Sequence, residues 1–198
     1  SGEKLVLENV GIALRGHKNY AETKDLDACG VYVTKGEARI SNCSILVDHS
    51  VQAKTYTGQD SFSGFPKVLY LGKDAGACLL EHSTLKMQGS PVVCRPKTVS
   101  YSPTTFDNVY GVYSETDKMV TVQGGSISTN CALGAATSIY ARSINITKST
   151  LDDSVFSAYD VDSPAREQAE KIRTLTISAN GGSQAYGVFV RDKGQVVL

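Results

Sequence analysis

The chain has 198 residues, with 20 Lys or Arg balancing 20 Asp or Glu. That is enough for one sizeable core, and it leaves no net field to draw nucleic acid or an acidic membrane. The apolar residues fall in short runs, far from the ~20 consecutive ones that cross a bilayer as a helix, so membrane insertion of this segment and a nucleic-acid partner are both excluded from expectation.

Eighteen glycines, no tryptophan and abundant Ser, Thr, Asn and Asp describe a turn-rich β protein. One domain over 1–198 is expected. No charged-then-apolar leader opens it and Val196-Val197-Leu198 ends inside an apolar run, which reads as a piece of a longer chain.

Taken in order, Lys4-Leu-Val-Leu-Glu-Asn-Val-Gly-Ile-Ala-Leu14 predicts strand, polar corner and strand, and 15–27 is polar. The segment 29–47 then sets a pattern. Val31 and Val33 alternate about Tyr32, a corner follows at Lys35-Gly36, and Ile40 and Ile45 are the expected interior positions of what comes next. Related segments recur at 68–87, 110–129, 138–151, 155–159 with 175–178, and 185–198, marked by Tyr70, Tyr113, Tyr140, Tyr159 and Phe189. Units of ~20 residues that cannot bury their own apolar face are stabilised by stacking. With strands and no regular helix in the unit, a parallel β-helix solenoid is expected, and a β-sandwich is the competing all-β reading.

Two long excursions interrupt the pattern, 48–67 and 88–108. The second carries Pro91, Pro96 and Pro103, which cannot donate to a sheet ladder. One segment reads as a short helix: in Ser163-Pro-Ala-Arg-Glu-Gln-Ala-Glu-Lys-Ile-Arg173 a serine cap precedes proline at the first helical position.

The five cysteines allow two local bridges, Cys29 with Cys43 and Cys78 with Cys94, leaving Cys131; buried free thiols are the alternative. No metal or cofactor is expected, because no C-x-x-C occurs and His17, His49 and His82 are scattered. Enzymatic residues find little support. Asp152-Asp153 is the acidic pair that a carbohydrate-active lyase or hydrolase could use, but its expected place is a solvated corner. The pairs Asp25 with Asp27 and Asp160 with Asp162 fall in or beside polar loops, and the sequons at Asn42 and Asn145 fall inside the repeat.

The excursions carry the better signal. Tyr56, Phe62, Phe65 and Lys67 in the first, and Arg95, Lys97, Tyr101 and Phe106 in the second, are aromatic and basic residues of the kind enriched at protein interfaces. Leaving the pattern at equivalent places, the two excursions are expected to emerge side by side.

The unit Gly-Val-Tyr/Phe-Val, Gly, Ile-x-x-x-x-Ile, seen at 30–45, 111–127 and 187–197, resembles the passenger domains of bacterial autotransporters, the type V secretion family. The resemblance implies a right-handed parallel β-helix, export to the bacterial cell surface or beyond, and a virulence role as adhesin, toxin or host-cell effector, carried on loops; with no catalytic motif in the chain, that role is expected to be non-enzymatic. Short passengers with two large loops are similar to the pro-angiogenic members, which implies a host-cell surface protein as partner, an endothelial growth-factor receptor among them. Five cysteines depart from that family's pattern.

Overall fold

The computed structural model describes residues 2–15, 28–48, 65–89, 106–131, 134–147 and 174–198, with backbone alone at 52–53, 92–93 and 106–107. Among them there are only strands. β1 (Lys4–Glu8), β2 (Gly11–Arg15), β3 (Cys29–Ser41) and β4 (Ser44–Asp48) come first. The pair β5 (Gln52–Ala53) and β7 (Val92–Val93) brackets the long β6 (Lys67–Gln88). Then follow β8 (Phe106–Ser114), β9 (Met119–Cys131), β10 (Gly134–Thr147), β11 (Thr176–Gly181) and β12 (Gln184–Val197).

Every pairing between them is parallel. The pairing also closes. β6 pairs with β8, β8 with β10, β10 with β9, and β9 back with β6. A closed four-stranded parallel barrel with extra strands on its flanks therefore replaces the expected right-handed β-helix solenoid. The cause lies in the length of two strands. β6 gives its first part, Lys67–Leu71, to β8 and its second, Cys78–Gln88, to β9; β10 divides itself between the same two strands. On one flank β3 and β4 pair with β6, and β1 and β2 lie outside them; on the other, β12 pairs with β10 and β11 with β9. The predicted helix at 163–173 lies outside the described residues.

Bends in these strands have a local cause. The in-register residues Glu8, Ser41, Glu81 and Gln123 are each followed by a residue at positive φ: Asn9 at 56°, Asn42 at 51°, His82 at 45° and Gly124 at 63°. Gly enters the left-handed region freely and Asn readily, through local hydrogen bonds of its side chain, whereas histidine enters it at a cost. The four residues turn the chain at one level of the structure.

Alternation fills the interior in rows. Val31, Leu69, Val112, Ile139 and Val188 are in register across five strands, and Ile12, Ile45, Leu85, Ile127 and Ile177 form a second row. A third runs through Leu7, Ile40, Leu80, Val122 and Ile146. Ile40 and Ile45 are buried, as the alternation requires. Each fully buried Leu or Ile contributes ~1.5–3 kcal/mol, and rows with their faces packed together bury almost all of them except at the flanks.

The cysteines join this interior. Cys43 and Cys78 are buried free thiols, so neither expected local bridge forms. The Cys43 thiol donates to the Ser41 carbonyl at 3.2 Å, and burial pushes the Cys78 thiol up to about 12. Small apolar behaviour is the role both side chains play.

Candidate binding surface

Outward positions form a row of their own. Tyr32 pairs with Tyr70, Tyr70 with Tyr113, Tyr113 with Tyr140, and Tyr140 with Phe189. Successive strands of a sheet lie ~4.8 Å apart, so rings at matching positions are brought to stacking distance. Their centroids are separated by 4.5 Å for Tyr32 and Tyr70, 6.1 Å for Tyr70 and Tyr113, 4.9 Å for Tyr113 and Tyr140, and 5.2 Å for Tyr140 and Phe189, all with interplanar angles under 20°. Tyr110 meets Tyr113 and Tyr140 edge-on, and Tyr186 does the same to Phe189. Such pairs contribute ~0.5–1.5 kcal/mol each beyond burial. Tyr32 at 62% and Phe189 at 38% are the exposed ends of the row, while Tyr70, Tyr113 and Tyr140 are half-buried.

Charged groups stand at two places along it. Lys67, first residue of β6 and last of the first excursion, puts Nζ 5.6 Å from the Tyr70 ring centre and 5.7 Å from that of Tyr113. An ammonium within about 6 Å of an aromatic face is attracted by its quadrupole. The Tyr70 hydroxyl donates to Glu115 Oε2 at 2.9 Å. Burial first, and then the Glu115 carboxylate, hold the Tyr70 phenol well above its ordinary range. Tyr113 is raised by the same two causes, partly offset by Arg191.

The segment carrying Glu115 is held from both sides. The Glu115 amide donates to the Leu71 carbonyl at 2.8 Å, and Thr116 Oγ1 donates to the Ala75 carbonyl at 2.6 Å. Arg191 of β12 donates Nε to the Ser114 carbonyl at 3.2 Å and Nη2 to the carbonyls of Glu115 and Thr116. Beside it Arg142 bridges Asp117 at 2.8 Å, and that contact lowers the Asp117 carboxyl below its ordinary range. Glu115 is thereby fixed against the row.

The sequence-derived residues divide. Lys67 stands on the row, and Phe65, two residues before it, is 48% exposed. Phe106 is the first residue of β8. Tyr56, Phe62, Arg95, Lys97 and Tyr101 lie outside the described residues, as do the acidic pairs at Asp25, Asp27, Asp152, Asp153, Asp160 and Asp162. The excursions do run together at one point: Gln52 pairs with Val92 and Ala53 with Val93, a two-stranded parallel sheet between the two insertions. Sequence reasoning treated the repeated tyrosines as register marks of a scaffold. Their recurrence between two inward residues (Val31 and Val33, Leu69 and Leu71, Val112 and Ser114, Ile139 and Ala141) is the signal for an outward aromatic strip.

No protein-family model, curated protein or solved structure matches this chain. The autotransporter resemblance thus rests on the repeated residues alone.

Stacked rings, an ammonium and a fixed carboxylate on a rigid sheet offer apolar area, cation–π attraction and hydrogen bonding at low conformational cost.

Proposed function

We propose that the chain is a non-enzymatic binding protein, exported by a bacterium, whose aromatic row and two excursions engage a host-cell surface protein. The observation that carries this reading is the position of Lys67. It is the last residue of the first excursion and lies over Tyr70 and Tyr113, which supports reading row and excursion together. The pairing of β5 with β7 joins the two excursions to each other at 52–53 and 92–93. Export and a host partner, of which an endothelial growth-factor receptor is the specific case, are drawn from the repeated unit that resembles autotransporter passengers.

The test replaces 54–64 and 94–105 with short Gly-Ser linkers and measures binding of fluorescent protein to cultured human cells. Binding is expected to be lost while the β-type far-UV circular dichroism remains. Undiminished binding by the replaced protein overturns the proposal.

A further inference from the structure

Four of the five rings in the aromatic row are phenols, and a phenol gives up a single electron where an unsubstituted ring holds it. Tyr32, Tyr70, Tyr113 and Tyr140 follow one another at centroid separations of 4.5, 6.1 and 4.9 Å and are nearly parallel throughout. Tyr110 joins them edge-on, 4.8 Å from Tyr113 and 5.7 Å from Tyr140. Electron transfer between aromatic groups falls off steeply with distance, and rings this close exchange an electron readily. Phe189, which lacks a hydroxyl, ends the path.

The members are not equivalent. Tyr32 is largely exposed and is the ring a dissolved oxidant meets first, whereas Tyr70, Tyr113 and Tyr140 are half-buried. A phenol that has lost an electron is a strong acid and must pass its proton on. The Lys67 ammonium beside Tyr70 and Tyr113 opposes a ring that stays cationic. Among the described residues, Tyr70 is the member of the row whose hydroxyl donates to a carboxylate, Glu115 Oε2 at 2.9 Å. The backbone carrying that carboxylate is fixed, with the Glu115 amide bonded to the Leu71 carbonyl at 2.8 Å and its carbonyl held by Arg191.

We infer that the row conducts single electrons, with Tyr32 as the entrance for a dissolved one-electron oxidant and Tyr70 as the place where the radical comes to rest. The oxidant takes an electron from Tyr32, whose hydroxyl proton passes to water. Tyr70 then returns an electron to the Tyr32 phenoxyl, which regains a proton from water, while the Tyr70 hydroxyl proton moves along its hydrogen bond to Glu115 Oε2. The net change is one electron from Tyr70 to the oxidant and one proton from Tyr70 to Glu115; Tyr32 is restored. The inference stands apart from host-protein binding.

Flash oxidation tests it, with photoexcited tris(bipyridyl)ruthenium as sensitiser and pentaamminechlorocobalt(III) as terminal electron acceptor, followed by rapid freezing and electron paramagnetic resonance. The line shape of a tyrosyl radical depends on the orientation of its ring, so different tyrosines give different spectra. One spectrum is expected to dominate in the unmodified protein and to vanish in Tyr70→Phe, although that variant keeps every other tyrosine. Glu115→Gln is expected to slow its appearance ~100-fold or more, the ordinary effect of losing a positioned proton acceptor. Tyr186→Phe, outside the path, is expected to change neither spectrum nor rate. The substitutions conserve size, and far-UV circular dichroism is expected to stay unchanged; should one of the first two variants lose its β signature, the other decides alone. The same dominant spectrum in Tyr70→Phe overturns the inference, and so does an unchanged rate in Glu115→Gln.

Discussion

His82 occupies a left-handed corner that its in-register equivalents fill with Asn9, Asn42 and Gly124. A residue other than Gly, Asn or Asp holds that conformation at ~1–2 kcal/mol. His82→Asn is therefore expected to raise stability by about 0.5–1 kcal/mol in urea unfolding; a lower midpoint would mean that the imidazole's own contacts outweigh the backbone. Glycines of the repeated Gly-Val-aromatic unit carry a matched contrast. A Cβ on Gly111 would lie 2.5 Å from the Ser138 carbonyl oxygen and 2.6 Å from Ile127 Cγ2, whereas on Gly187 the nearest heavy atom is 3.7 Å away. Gly111→Ala is expected to cost ~1–3 kcal/mol by forced displacement and Gly187→Ala no more than about 0.5 kcal/mol. Equal costs at the two sites would contradict the close strand approach at Gly111.

At the scale of elements, the aromatic row ties β3, β6, β8, β10 and β12 together and gives the protein an alkaline limit. Tyr70 and Tyr113 hold their protons more tightly when folded than the ordinary phenol does. The stability this supplies is complete below the unfolded value of about pH 10 and is lost as pH rises through the higher folded values. Unfolding midpoints should hold to about pH 9 and fall above about pH 10. Tyr70→Phe should fall less steeply there and cost about 0.5–1.5 kcal/mol at neutral pH through the lost bond to Glu115. A parallel decline in both proteins would remove the row from the explanation. How much of these elements could be read from the chain follows from which interactions are local. The alternation of Val31 and Val33 about Tyr32 fixes which side chains turn inward, and the Glu8-Asn9 and Ser41-Asn42 steps mark corners. Closure of the barrel was not legible, because it depends on β6 pairing with β8 over one part and β9 over another, residues some 40 positions apart. The hold of Arg191 on the carbonyls of Ser114, Glu115 and Thr116 spans a still longer separation. Cysteine spacing was compatible with local bridges, but Cys43 and Cys78 are both free and buried among the interior rows.

For the whole molecule, the division of labour is between an interior of aliphatic rows that fixes all strands in register and an outer aromatic row that inherits that register without contributing to the core. The barrel holds Tyr70, Tyr113 and Tyr140, the flanks supply Tyr32 and Phe189, and Lys67 joins the row to the first excursion. The central claim is that this row is a recognition surface. Of the eight excursion residues named from sequence, Lys67 is the one whose contacts with the row are described, so it bears the claim most directly. The decisive measurement is a binding isotherm on cultured human cells for the unmodified protein, Lys67→Glu and Lys73→Glu. Lys73 is an exposed lysine of the same strand and matches the charge change. Lys67→Glu is expected to weaken binding about tenfold or more, the effect of losing a central anchor, with Lys73→Glu unchanged. Equal binding by all three proteins, or equal loss in both variants, would contradict the account.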